Sequence, residues 1–204
     1  MASGNATGTT FEVDNKETAF QIVGGTGEDT IATSSFAFAS LEREAIFISS
    51  SIEVIHDTSG IYGNSGANTL TGTSDADNIE GGGGADRLVG GLGADTTWGG
   101  AGADTFVFNF STEGKDTTDF ISGVDTIEVS AAGFGGGLLA GGEVTLVTAA
   151  SAAAATTGGA DGYFIYSTGD KTIYWDANGG SGADAVELLG IPSAGVLASD
   201  FHLV

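Results

Sequence analysis

The chain has 204 residues, no cysteine, and 27 acidic against five basic side chains, for a net charge of -22. So acidic a surface argues against nucleic acid and anionic membrane surfaces as partners, and no apolar run is long enough to cross a bilayer, which argues against membrane insertion. The length suits one elongated domain, or a repeat body with a packed extension, and allows only a modest core.

In chain order, Phe11, Val13, Phe20, Ile22 and Val23 alternate as strand residues do and predict a cap over one end of a stacked β structure. Residues 24–32, GGTGEDTIA, form a nine-residue block of the pattern G-G-x-G-x-D-x-apolar-x, with Asp29 at position six and Ile31 at position eight. Residues 33–62 lose that period but contain strand-like runs at 45–49 and 52–56, read as wider rungs of one parallel stack.

From 63 to 107 the nine-residue block returns five times without a gap, and the two fullest copies read GGGGADRLV and GGAGADTFV. Glycines at positions one, two and four are expected to take positive-φ conformations in a tight turn whose carbonyls point inward. Position eight is expected to face the core from a very short strand, and it is Leu70, Ile79, Leu88, Thr97 and Phe106. Position six is Asn68, Asp77, Asp86, Asp95 and Asp104. Five blocks in one phase are not the product of low complexity alone, and they are the pattern of calcium-binding parallel β-rolls. One turn of such a roll uses two blocks, so blocks two apart stack at the spacing of adjacent strands. That pairs Asp77 with Asp95, Asp86 with Asp104, and more weakly Asn68 with Asp86. Carboxylates and carbonyls are the hard oxygens that calcium prefers. The expected ligands are these side chains together with Gly81, Gly83, Gly90 and Gly99, and Gly24, Gly27 and Asp29 in the isolated block, where no partner for Asp29 is evident. Asp75 stands where the second block should carry its fourth-position glycine, either tolerated by the turn or adding a carboxylate.

After Val107 the period breaks. Residues 115–130, with Asp116, Asp119, Phe120, Gly123, Asp125, Ile127 and Ser130, resemble the segment that follows the nonapeptides in bacterial RTX (repeats-in-toxin) proteins and in the C-terminal domain of serralysin-type proteases. The resemblance implies that Asp119, with Asp116 or Asp125, closes the last calcium sites. Thr117-Thr118 departs from it, since the family usually places an isoleucine there. Residues 134–160 are rich in glycine and alanine, with a strand expected at 144–147 and a connector at 151–157. Residues 162–167 and 171–176 read as aromatic-rich strands joined by the turn Thr168-Gly169-Asp170. This hairpin, Asp176-Ala177-Asn178-Gly179 and the ending Asp200-Phe201-His202-Leu203-Val204 also resemble RTX proteins, so the resemblance spans residues 24–204. Residues 179–187, GGSGADAVE, fit the block by letter, but Asp184 has no stacked partner and reads as an ordinary turn.

The fold expected is all-β: a right-handed parallel β-roll (β-solenoid) with calcium between its turns, followed by a C-terminal β-hairpin or sandwich-like extension. Its parts are an N-terminal cap with wide rungs (1–62), the roll and its closing segment (63–130), and the extension (131–204). Stacked carboxylates repel one another without cations, so binding of several Ca2+ ions is expected to be coupled to folding. No positive-then-apolar leader opens the chain, which alone reads as cytosolic. The resemblance implies instead a secreted, extracellular protein exported from a Gram-negative cell through type I secretion machinery by a signal in its C-terminal end. No H-E-x-x-H or G-x-S-x-G occurs and His56 and His202 are far apart, so no enzyme is expected. Trp98 and Trp175 read as packing or partner-contact aromatics. The function expected is a calcium-triggered folding and secretion module; the alternatives are a self-assembling extracellular structural or adhesive protein, or a carbohydrate-binding accessory module.

Overall fold

The computed structural model describes residues 8, 10–14, 29–34, 36–39, 42–43, 46, 53–155, 161–180, 182–191 and 195–204. Gly24, Gly27, Phe20, Ile22 and Val23 lie outside the described residues. So does the run 45–49 apart from Ile46, which is helical and buried instead of extended.

The nine-residue phase builds the body directly. Strands β4 (Gly60–Gly63), β6 (Asn78–Gly83), β8 (Thr96–Ala101) and β10 (Asp116–Thr118) stack in parallel on one side. Strands β5 (Thr69–Thr71), β7 (Arg87–Val89), β9 (Thr105–Phe108) and β11 (Thr126–Val129) stack in parallel on the other. Alternate blocks therefore feed alternate sheets, as a two-block turn requires. Position-eight residues line up between them: Leu70, Leu88, Phe106 and Ile127 are register partners on one sheet, and Ile61, Ile79, Thr97 and Thr118 on the other. All eight are buried. Thr97, the departure from apolar at this position, is thus still an inward residue, in a core that also holds the Phe106 and Phe120 rings 6.2 Å apart edge to face.

The stack does not stop where the sequence period does. Blocks pair 18 residues apart through the array, as in Leu88 with Phe106, and the next level pairs 21 apart, as in Phe106 with Ile127. Three extra residues widen the turn and leave the ladder intact. The final level comes from the end of the chain: β15 (Val186–Gly190) lies parallel on β10, and β16 (Phe201–Leu203) parallel on β11. Between them the chain makes the short helix α1 (Ala131–Phe134) and strand β12 (Leu146–Ala149), which is parallel to β13 (Tyr163–Ser167). The expected hairpin comes next, with β13 antiparallel to β14 (Thr172–Asp176) and β14 antiparallel to β15. The hairpin thus continues the sheet of the roll. Phe164 joins the layers, its ring 4.8 Å from Trp175 and 4.6 Å from Phe201.

Upstream, β1 (Thr10–Glu12), β2 (Thr30–Ala32) and β3 (Val54–Asp57) are parallel, with Phe11, Ile31 and Ile55 in register and buried. The parallel order expected for 33–62 then fails at one point. Strands β3 and β4 form an antiparallel hairpin, because Asp57 Oδ1 accepts hydrogen bonds from both the amide (2.8 Å) and hydroxyl (2.6 Å) of Ser59 and closes a two-residue turn.

Because Phe106 fills the stack between two register partners, Phe106→Ala is expected to destabilise the calcium-loaded fold by about 3–5 kcal/mol in urea unfolding. A loss under about 1 kcal/mol would show that the core does not run through this level.

Candidate metal site

The residues at position six form two ladders, one along each edge of the roll. In each, the side chain of one turn accepts a hydrogen bond from the backbone amide of the equivalent residue one turn earlier. On one edge Asp77 N donates to Asp95 Oδ1 at 2.8 Å, and Asp95 N to Asp116 Oδ1 at 3.0 Å. On the other, Asn68 N donates to Asp86 Oδ1 at 2.7 Å, Asp86 N to Asp104 Oδ1 at 2.9 Å, and Asp104 N to Asp125 Oδ1 at 3.0 Å. A backbone bond backs every step, such as Thr105 N to the Asp86 carbonyl at 2.7 Å.

The second carboxylate oxygen of Asp77, Asp86, Asp95 and Asp104 faces the position-one glycine five residues earlier, whereas that of Asp125 accepts the Ile121 amide at 2.7 Å. A Cβ built on Gly90 would stand 2.5 Å from Asp95 Oδ2 and 3.1 Å from Asp116 Oδ2. Built on Gly81, it would meet Asp86 Oδ2 and stand 2.7 Å from the Gly99 carbonyl. The position-one glycines thus leave room for converging oxygens. This corrects the expectation that they are needed for positive φ, which holds at positions two and four, as at Gly91 (φ 99°) and Gly93 (φ 126°). The first two blocks manage without it: Asn64 and Thr73 occupy position two, and Asp75, exposed at the turn, is tolerated because no positive φ is required there.

Asp95 is almost wholly buried, and its Oδ2 has no hydrogen-bond partner among the described residues. A buried carboxylate oxygen without a donor is costly. Burial pushes the Asp95 and Asp104 carboxyls up, against the lowering effect of the amides bonded to them. Asp116 is pushed up to about 7, first by burial and then by the charges of Asp95 and Glu113. Glu113, itself buried and raised, accepts the Asn109 amide at 2.7 Å and adds a third carboxylate to this neighbourhood. Among the described residues no three His, Cys, Asp or Glu side chains converge to form a metal cluster, so an ion here would draw on backbone carbonyls too. Paired carboxylates with glycyl carbonyls fit calcium, which takes six to eight hard oxygens in flexible geometry.

Asp119 is placed differently from the ladder. It accepts the amides of Gly99 (2.8 Å) and Gly100 (3.0 Å), while Asp116 and Asp125 occupy the ladder positions. Asp200 repeats the Asp119 arrangement on the other edge, accepting from Ser122 Oγ at 2.5 Å and Gly123 N at 3.1 Å. Gly83 donates its amide to the Asn64 carbonyl at 3.0 Å. In the isolated block, the partner not evident for Asp29 in the sequence is Glu53: Asp29 N donates to Glu53 Oε2 at 2.7 Å, and Glu53 N returns a bond to the Asp29 carbonyl at 3.0 Å.

The RTX calcium-binding nonapeptide repeat, in four copies, matches residues 62–97, within the stretch that carries these ladders. The array is an RTX calcium-binding repeat. No curated protein matches the chain. Among solved structures, the AlgE6R3 subunit of the Azotobacter vinelandii mannuronan C5-epimerase is similar at 29% identity, covering 68% of this chain and 79% of that one, with a TM-score of 0.22. The family match ends at the fourth block, although the RTX ladder continues through Asp104, Asp116 and Asp125.

An unfolded aspartate titrates near 3.9. Between about pH 4 and 7 the metal-free folded chain therefore holds a proton on Asp116 that the unfolded chain has released. Stability without metal should rise as the pH falls through about 7 and level off near 4. In chelator, the far-ultraviolet β signal is expected to grow between about pH 7.5 and 5, and calcium affinity to fall over the same range as protons compete for the ladder. A β signal that weakens on acidification would contradict the buried ladder.

Proposed function

We propose that this chain is the calcium-binding RTX module of an exported bacterial protein, expanded where calcium is scarce and folded where it is plentiful. One observation carries this: two series of stacked carboxylates, buried at Asp86, Asp95, Asp104, Asp116 and Asp125, with the second oxygens of Asp86, Asp95, Asp104 and Asp116 set against glycines, in a chain of charge -22. Ions would sit between successive ladder residues, along Asp77, Asp95 and Asp116 on one edge and Asn68, Asp86, Asp104 and Asp125 on the other. Carbonyls such as those of Gly81, Gly90 and Gly99 complete each shell. Each ion offsets the repulsion of the two turns it joins and couples binding to folding. Asp29 and Glu53 are the corresponding pair at the first block.

The export reading rests on the resemblance of residues 200–204 to RTX proteins. Phe201–Leu203 is the last strand of its sheet, and Asp200 is tied to Ser122 and Gly123. A C-terminal secretion signal in this segment would be accessible to type I machinery while the chain is unfolded and withdrawn once extracellular calcium closes the roll. The module's work is binding and folding, with no catalytic residues assigned.

Size-exclusion chromatography with light scattering, in chelator and in millimolar calcium with magnesium as control, tests this. The radius should shrink in calcium alone, and a radius unchanged by calcium would overturn the reading. Gly90→Ala keeps every carboxylate but fills the Asp95–Asp116 cradle, and is expected to weaken calcium binding there about tenfold, or ~1.4 kcal/mol, in titration calorimetry. Unchanged affinity would place the ion elsewhere.

A further inference from the structure

The eleven-stranded sheet ends on β12, and the outer edge of that strand is open. On its inner side the Phe164 and Thr168 amides donate to the carbonyls of Thr145 and Ala149 at 2.9 and 2.8 Å. Alternate residues of a parallel strand bond the same neighbour, so the N–H and C=O groups of Leu146 and Thr148 point the other way. Among the described residues nothing pairs with them. The sheet's other end strand, β1, presents the exposed Glu12, and β16, which ends the second sheet, has its Leu203 carbonyl taken by the Gly141 amide at 2.7 Å.

Folded proteins commonly protect a sheet edge with charge, proline or a bulge. β12 has none of these: it pairs with β13 without a register shift, and no charged residue or proline occurs from 144 to 160, in a chain of net charge -22. Its side chains are partly covered on both faces, Leu146 by the main core and Val147 and Ala149 by the cluster of Ala155, Tyr163 and Ile165. Leu139, 74% exposed, borders the same cavity as Thr145 and extends the apolar surface past the start of the strand.

We propose that β12 pairs with β12 of a second copy of this chain, antiparallel about a two-fold axis, joining the two sheets into one. Strongly acidic molecules repel one another over most of their surface, and at this uncharged strand two copies meet without opposed carboxylates. A partner selected by charge gains nothing from it, whereas a two-fold pair is self-complementary and closed. Setting Leu146 opposite Thr148 of the second copy uses every free backbone donor and acceptor of the edge and puts Val147 opposite its own counterpart, as a non-hydrogen-bonded pair. One strand pair covers a small area, so the dimer is a weak one. The pairing needs the folded sheet and not the placement of any ion, so it stands or falls separately from the calcium reading.

Light scattering of the full chain in millimolar calcium should show a mass that rises with concentration toward twice the 20.1 kDa of one chain. Thr148→Lys places a charge on the edge, and Thr148→Pro removes an outward N–H that the ladder to β13 does not use. Each should weaken dimerisation at least about tenfold, with the far-ultraviolet β signal unchanged. The chain has no cysteine, which permits a test of register. Val147→Cys should give a disulfide-linked dimer under mild oxidation, since non-hydrogen-bonded partners stand about 4.5 Å apart at Cα, within disulfide range. Asp75→Cys, on an exposed turn of the array, should stay unlinked. A parent that keeps the mass of one chain up to about 0.1 mM, or a dimer that Thr148→Lys leaves as strong as before, would overturn the proposal.

Discussion

Everything in this fold depends on carboxylates that are buried before they are neutralised. At every ladder level one oxygen is committed to the amide of the previous turn, a bond that positions the side chain but cannot dissipate its charge. At Asp86, Asp95, Asp104 and Asp116 the other oxygen is set against a glycine, where burial raises the cost of ionisation. A core of short strands, one inward side chain per block, has little surplus with which to meet that cost. Inserting ions between levels converts the largest opposing term into the bond that joins consecutive turns.

The same constraint explains how the roll tolerates changes in its sequence period. What must be preserved is the meeting of a position-six oxygen with the amide one turn away, and the residues in between can vary. The step is 18 residues in the array, 21 at Asp95–Asp116 and Asp104–Asp125, and 24 at Asp29–Glu53. The last level is supplied by β15 and β16 after the entire helix and hairpin excursion. β16 is thus the edge strand of its sheet, paired on β11.

Much of this is legible in the residues because a fixed phase ties side-chain direction to turn chemistry. The inward ladder Leu70, Leu88, Phe106 and the partners Asp77–Asp95 and Asp86–Asp104 follow from the nine-residue period alone. Asp116, Asp125 and Glu53 are harder, since a search at offset 18 misses a step of 21 or 24. A local signal does mark most of them: a ladder residue followed by threonine recurs at Asn68-Thr69, Asp95-Thr96, Asp104-Thr105, Asp116-Thr117 and Asp125-Thr126, and at Asp29-Thr30. Glu113 and the Asp57 turn have no such mark, because their places are set by tertiary contacts. The position-one glycines are the expected residue type for a different reason, since space for oxygens and freedom of φ select the same amino acid.

The most direct test is a crystal structure of the chain grown in calcium, with ions located by anomalous scattering. The account predicts density between successive ladder residues, Asp95 with Asp116 above all, with Oδ2 and glycyl carbonyls at about 2.3–2.6 Å. Ions confined to exposed carboxylates such as Asp75, with the ladder oxygens still turned toward glycine and uncoordinated, would contradict it.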